Sequence, residues 1–130
     1  MFLSGSRSAL LGVLKRFVRD IRDLEEAGKA IDRSQAIIEF DTKGNILDAN
    51  ANFMATMGYS LEEIRGRHHS MFVEPEYAQS ADYREFWSSL AQGKFRSALY
   101  RRLAKGGREV WLEASYNPVV EADGRVSRVL

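Results

Sequence analysis

A chain of 130 residues that is 45% hydrophobic and 11% aromatic is long enough for one domain with its own core, and too apolar to be disordered over most of its length. Its 19 basic and 18 acidic side chains leave a net charge of +1, without the basic excess of a nucleic-acid module. The absence of cysteine removes disulfides, thiolate zinc sites and cysteine nucleophiles, and no apolar run approaches the ~20 residues needed to cross a bilayer.

The opening apolar stretch is short and is interrupted by Lys15 and Arg16, so it does not read as a signal peptide, and a cytoplasmic location is expected. Leu3, Leu10, Phe17, Leu24 and Ile31 recur every seven residues, with Leu14 and Ile21 between them. That spacing predicts an amphipathic helix over residues 1–35, ending near Gly28. Its stripe can pack on its own domain or pair with a second chain through Leu10, Leu14, Phe17, Ile21 and Leu24. The second option gives a homodimer.

From residue 36 the pattern changes to short strands and turns. A strand over 36–40, the turn 41–44 with Gly44 at its end, and a return over 45–48 read as a hairpin. Asn50 is placed to cap a short helix closed by Gly58, and Ser60 with Glu63 forms a capping box. After an irregular stretch from Arg67 to Pro75, Ser80 caps a longer helix reaching to Gly93. On that helix Tyr83, Phe86, Trp87 and Leu90 make one apolar face. Strands over 95–103 and 109–117 flank a Lys105-Gly106-Gly107 turn, and Pro118 is expected to end their pairing. A final strand starts at Arg125. The order predicts an α+β domain over 36–130, an antiparallel sheet with helices on one face.

The phrases IIEFDTKGNILDANANFMATMGYSLEEIRGRHHSMF and GKFRSALYRRLAKGGREVWLEASYNP carry a resemblance. In this order and spacing they resemble PAS sensor domains, in particular those of bacterial chemotaxis and aerotaxis transducers and biofilm-dispersion regulators. The resemblance covers about residues 36–130 and implies a five-stranded antiparallel sheet with a small pocket between sheet and helices. It also implies a sensory input role that detects a small ligand or a redox or oxygen state. The last strand is then truncated at Leu130, and an output domain, such as a methyl-accepting signalling domain, lies outside this chain. A parent receptor anchored elsewhere in a membrane is compatible with that. Two alternatives stay open: a ligand-free dimerisation and relay module, and the PAS input of a histidine kinase or a cyclic-di-GMP enzyme.

The candidate site residues follow from both readings. His68 and His69 are the only histidines, and neutral imidazole is a good axial ligand for haem iron. Haem-binding relatives make them candidate metal ligands, against a plainer role of bonding backbone and holding the loop. Trp87 and Trp111 can flank a flavin, or simply pack. Flavin-binding relatives carry a tryptophan where this chain has Arg96, which puts FAD behind haem, and light-sensing adduct chemistry needs a cysteine that is absent. Asn50, Asn52, Arg67, Arg96 and Asn117 can meet the polar edge of a ligand, although turns and caps also explain Asn50 and Asn117. Met54, Met57 and Met71 offer a soft lining or core filler. No Ser-His-carboxylate spacing and no phosphate-binding glycine loop is present, so a non-catalytic role is expected.

Overall fold

The hairpin turn is fixed by one carboxylate. Asp41 Oδ1 accepts the backbone N–H groups of Lys43 and Asn45, Oδ2 accepts the Asn45 amide, and Gly44 takes φ +91°. The computed structural model describes residues 35–130, so the expected N-terminal helix lies outside the described residues. The turn joins β1 (Ile38–Phe40) to β2 (Ile46–Ala49) in an antiparallel pair.

Asn50 then serves two elements at once. Its Oδ1 accepts from Phe53 N–H, capping α1 (Ala51–Met57), and from Ile37 N–H beside β1. Gly58 closes α1 at φ +78°, the left-handed region that favours glycine. The expected capping box heads α2 (Leu61–Ile64), with Ser60 Oγ accepting from Glu63 N–H and Glu63 Oε1 from Ser60 N–H. The stretch expected to be irregular contains a 3₁₀ turn, His69–Phe72, followed by α3 (Pro75–Ala78). Ser80 caps α4 (Ala81–Ala91), whose predicted stripe of Tyr83, Phe86, Trp87 and Leu90 is buried throughout.

β3 (Arg96–Leu103) and β4 (Glu109–Tyr116) pair over their whole length around the Lys105–Gly107 turn. The expected end of that pairing is met, and a strand that the sequence reading did not place follows it. Pairing with β3 stops at Arg96 opposite Tyr116, and Pro118 opens a new short strand. Asn117 exchanges both backbone hydrogen bonds with Leu130, and β5 (Pro118–Val120) pairs with β6 (Val126–Val129). Proline lacks only a donor, and its fixed φ suits an extended segment that changes partner. The described strands therefore form a four-stranded sheet in the order β2-β1-β6-β5 and a β3-β4 pair, joined through Asn117.

The helices and the sheet share a core of Phe40, Ile46, Phe53, Met57, Ile64, Phe72, Val73, Tyr83, Phe86, Trp87, Leu90, Tyr116 and Val129. Among the described residues no helix is long and apolar enough to cross a membrane.

Candidate functional site

The centre of this core is polar. His69 opens the 3₁₀ turn and is only 1% exposed. Its Nδ1 lies 2.7 Å from the Tyr83 hydroxyl on α4, and its Nε2 lies 2.9 Å from the Tyr116 hydroxyl at the end of β4. Arg102 on β3 adds a buried guanidinium, whose Nε and Nη2 both donate to the Tyr116 oxygen at 3.3 and 3.1 Å. Its Nη1 donates to the Arg101 carbonyl, and its plane lies 4.5 Å from the Tyr100 ring centroid.

These bonds set the direction of the chain. The lone pairs of the Tyr116 oxygen face Arg102, so the Tyr116 proton goes to His69 Nε2. His69 then carries its proton on Nδ1 and donates to Tyr83. Burial, with the nearby Arg102 and His68, holds the His69 pKa well below its usual 6.5, so the ring is neutral. Burial also raises the hydroxyl pKa of Tyr83 and of Tyr116, which keeps both protonated. A neutral polar chain thus crosses the core from helix to sheet, ending on a cation. Charge anywhere on it is costly, and a shift at one end reaches the other through hydrogen bonds rather than through loose packing.

His68 does different work. Its Nδ1 accepts from Ser70 N–H at 3.0 Å, so its Nε2 carries the proton and donates to the Lys43 carbonyl at 2.7 Å. It caps the 3₁₀ turn and ties it to the hairpin, which is the loop-holding role weighed in the sequence. A Cβ on Gly44 would come within 2.7 Å of His68 Nε2 and 2.8 Å of the Trp87 ring, so only glycine lets the hairpin approach this closely.

The other sequence candidates scatter. Trp87 joins His68 and His69, with ring centroids 6.1 and 5.4 Å away. Met71 is half-buried against the core. Arg96 donates to Ser89 Oγ and lies over the Phe86 ring, tying β3 to α4. Asn117 is exposed and spends its backbone on Leu130, while Trp111 is exposed and donates to Glu109. Asn50 is the cap already described, Asn52 is half-buried on α1, and Met57 is core. Sequence reasoning missed Tyr116 and Arg102 as functional residues and read Tyr83 only as core. The available signal was Arg102 falling in phase with Tyr100 on the inward face of an alternating strand.

The residues in this arrangement do not fit a haem or a flavin. All four histidine ring nitrogens are hydrogen-bonded, so iron at either histidine must break a bond that holds the fold. The space between helices and sheet is filled by rings in contact, with Phe86 and Tyr116 at 4.9 Å and Phe40 and Trp87 at 5.3 Å. Among the described residues no group of three or more His, Cys, Asp or Glu is placed to hold a metal ion. Empty space lies instead outside, in a groove of about 480 Å³ whose wall includes Arg67, His68, Met71, Val73, Ala78 and Leu103.

Comparison with known proteins agrees with this architecture. Over 113 residues the chain is 42% identical to Biofilm dispersion protein BdlA of Pseudomonas aeruginosa, covering 87% of this chain and 27% of that protein. It is 30% identical over 87 residues to the aerotaxis receptor of Escherichia coli, covering 67% of this chain and 17% of the receptor. Among solved structures, the PAS domain of a Colwellia psychrerythraea protein superposes with a TM-score of 0.67 at 25% identity, covering 82% of this chain and 90% of that one. The chain therefore spans about a quarter or less of the curated relatives' length. Residues 46–130 match the family described as the PAS fold, and with the strand order and helical layer above, the chain belongs to that family.

Proposed function

We propose that this PAS domain is the sensory input of a bacterial receptor of the chemotaxis or energy-taxis kind, non-catalytic itself and coupled to an output domain. The observation that carries the reading is the His69 chain, because it links the helical layer to the sheet with defined hydrogen-bond direction. Tyr83 lies on α4, His69 on the 3₁₀ turn, and Tyr116 directly precedes Asn117, where the strand passes from β3 to β6. A change on the helical side that turns the Tyr83 hydroxyl alters what His69 and then Tyr116 donate. The β4–β5 junction then moves against β6. The similarity to a biofilm dispersion protein and an aerotaxis receptor supports the receptor setting. A ligand-free relay module is the second reading, favoured by the filled interior.

The test is a chimera in which this chain replaces the matching 113 residues of the Pseudomonas protein, assayed for biofilm dispersion in a strain lacking that protein. The sensory reading expects dispersion to be restored, and to be lost with His69→Phe while the protein still accumulates. A folded chimera that never responds contradicts it. Mass spectrometry of natively purified protein separates the two readings, since only the sensor retains or binds a small molecule.

A further inference from the structure

The two adjacent histidines are placed oppositely. His69 is sealed in the core and spends its lone-pair nitrogen on the Tyr116 hydroxyl. His68 is half-buried and lines the outer groove, where solvent reaches it. Its lone-pair nitrogen, Nδ1, takes the Ser70 N–H at 3.0 Å and so caps the 3₁₀ turn that His69 opens. The neighbouring N–H groups at the head of that turn have backbone partners, His69 donating to the Gly44 carbonyl and Met71 to the His68 carbonyl. The cap on Ser70 depends instead on the charge state of a ring.

In this respect it differs from the caps made by Asn50, Ser60 and Ser80. Amide and hydroxyl oxygens accept throughout the physiological range, whereas imidazole is the side-chain group that ordinarily changes charge within it. A proton arriving on Nδ1 turns that acceptor into a donor. Two donors, Nδ1–H and the Ser70 N–H, then face each other and the bond is lost. The Nε2–H bond to the Lys43 carbonyl survives, because that nitrogen donates in both forms. Protonation thus keeps the tie to the hairpin and releases the turn.

The surroundings of His68 supply no anion to stand in for the lost bond. Among the described residues no carboxylate forms an ion pair with it. On the hairpin side, Lys43 is a cation and Asp41 commits its carboxylate to the N–H groups of Lys43 and Asn45 and to the Asn45 amide. On its own segment, Arg67 precedes it on the groove wall and the neutral His69 follows it. α4 presents the Tyr83 and Trp87 rings, with centroids 6.3 and 6.1 Å away, and burial keeps the Tyr83 hydroxyl protonated. Arg84 of α4 turns to the Gln79 carbonyl, and the groove lining from α3 and β3 is uncharged.

We infer that His68 is an acid-sensitive cap that gates the relay: protonation at its Nδ1 releases the head of the His69–Phe72 turn and loosens the hold of His69 on Tyr83 and Tyr116. This deepens the sensory reading by adding a regulation to its hydrogen-bond chain, and it rests on that reading. The coupling path is short. Ser70 follows His69 directly in the turn, and Tyr116 leads into Asn117 at the strand junction. With the cap made, the chain is connected from α4 to β4. With the cap lost, His69 stays neutral but its ring is no longer fixed by the turn, and transfer from Tyr83 to Tyr116 weakens. His68 is a positioning residue here, acting on the chain through the turn.

The experiment follows the whole chain by nitrogen–proton NMR from pH 8 to pH 5, reading the His68 ring nitrogens, the Ser70 amide and the Asn117 amide. The Ser70 amide is expected to move upfield with the same midpoint as the His68 ring. Its exchange with solvent, corrected for the intrinsic effect of pH, should rise about tenfold as one hydrogen bond is lost. The Asn117 amide is expected to shift with that midpoint too. His68→Asn keeps an oxygen acceptor at the cap and removes the ionisation, so both responses should vanish in it. A His68 ring that takes no proton by pH 5, or one that does while Ser70 stays still, would overturn the acid-sensitive cap. Ser70 moving without Asn117 would overturn the gate. Both of these come from the unaltered chain and stand whether or not the variant folds. A Ser70 response that persists in a folded His68→Asn would overturn His68 as the trigger. None of these results touches the chimera test at neutral pH, and a silent chimera leaves the titration readable.

Discussion

At the scale of single residues the account rests on a neutral histidine. In the unfolded chain His69 titrates near 6.5, and in the fold its pKa is held well below that by burial, Arg102 and His68. Below 6.5 the unfolded state therefore binds the extra proton. The His69 contribution to stability is fully present above that pH and is lost as pH falls towards the folded value. Denaturant unfolding between pH 7.5 and 5 should show stability dropping by up to ~1.4 kcal/mol per pH unit from this residue alone. His69→Gln should flatten that slope, and an unchanged slope would mean that the fold does not lower the His69 pKa. Gly44→Ala is the second residue-scale test. A side chain there is strained at φ +91° and collides with His68 and Trp87, so a loss of about 2 kcal/mol or more in the same assay is expected.

At the scale of elements, α4 anchors the domain through Tyr83, Phe86, Trp87 and Leu90. Trp87→Ala should cost about 3–5 kcal/mol, visible as a lower denaturant midpoint with the slope unchanged. Much of this element structure was legible in the sequence because its signals are local. The Asn50 and Ser60 caps, the left-handed Gly44 and Gly58, and the stripe on α4 each act within a few residues. What was not legible depended on distant partners. Tyr83 and Tyr116 are 33 positions apart, and nothing local says that one imidazole lies between their hydroxyls. The short strand Pro118–Val120 was missed for the same reason, because its partner Val129 lies eleven residues later. The histidines were singled out as candidate iron ligands, but a residue type alone cannot say whether its nitrogens face a ligand or a hydroxyl.

At the scale of the whole molecule, the question is how a domain of this family hands its change onward. The heptad stripe of Leu10, Leu14, Phe17, Ile21 and Leu24 lies outside the described residues, and a symmetric pairing through it is our proposal for assembly. Sedimentation equilibrium over a wide concentration range should show a dimer that disappears when residues 1–31 are deleted. Equal self-association of the shortened chain would move the contact to the Ala36–Leu130 unit, and a strict monomer of the full chain would remove the dimer.

Everything proposed for signalling depends on the direction of hydrogen bonding around the two histidines, and nitrogen NMR of their rings reads it directly. The structure predicts opposite tautomers in adjacent residues, His68 protonated on Nε2 and His69 on Nδ1, with His69 neutral when the pH is lowered to 6. A His69 ring that carries its proton on Nε2, or that titrates with an ordinary histidine midpoint, would contradict the account.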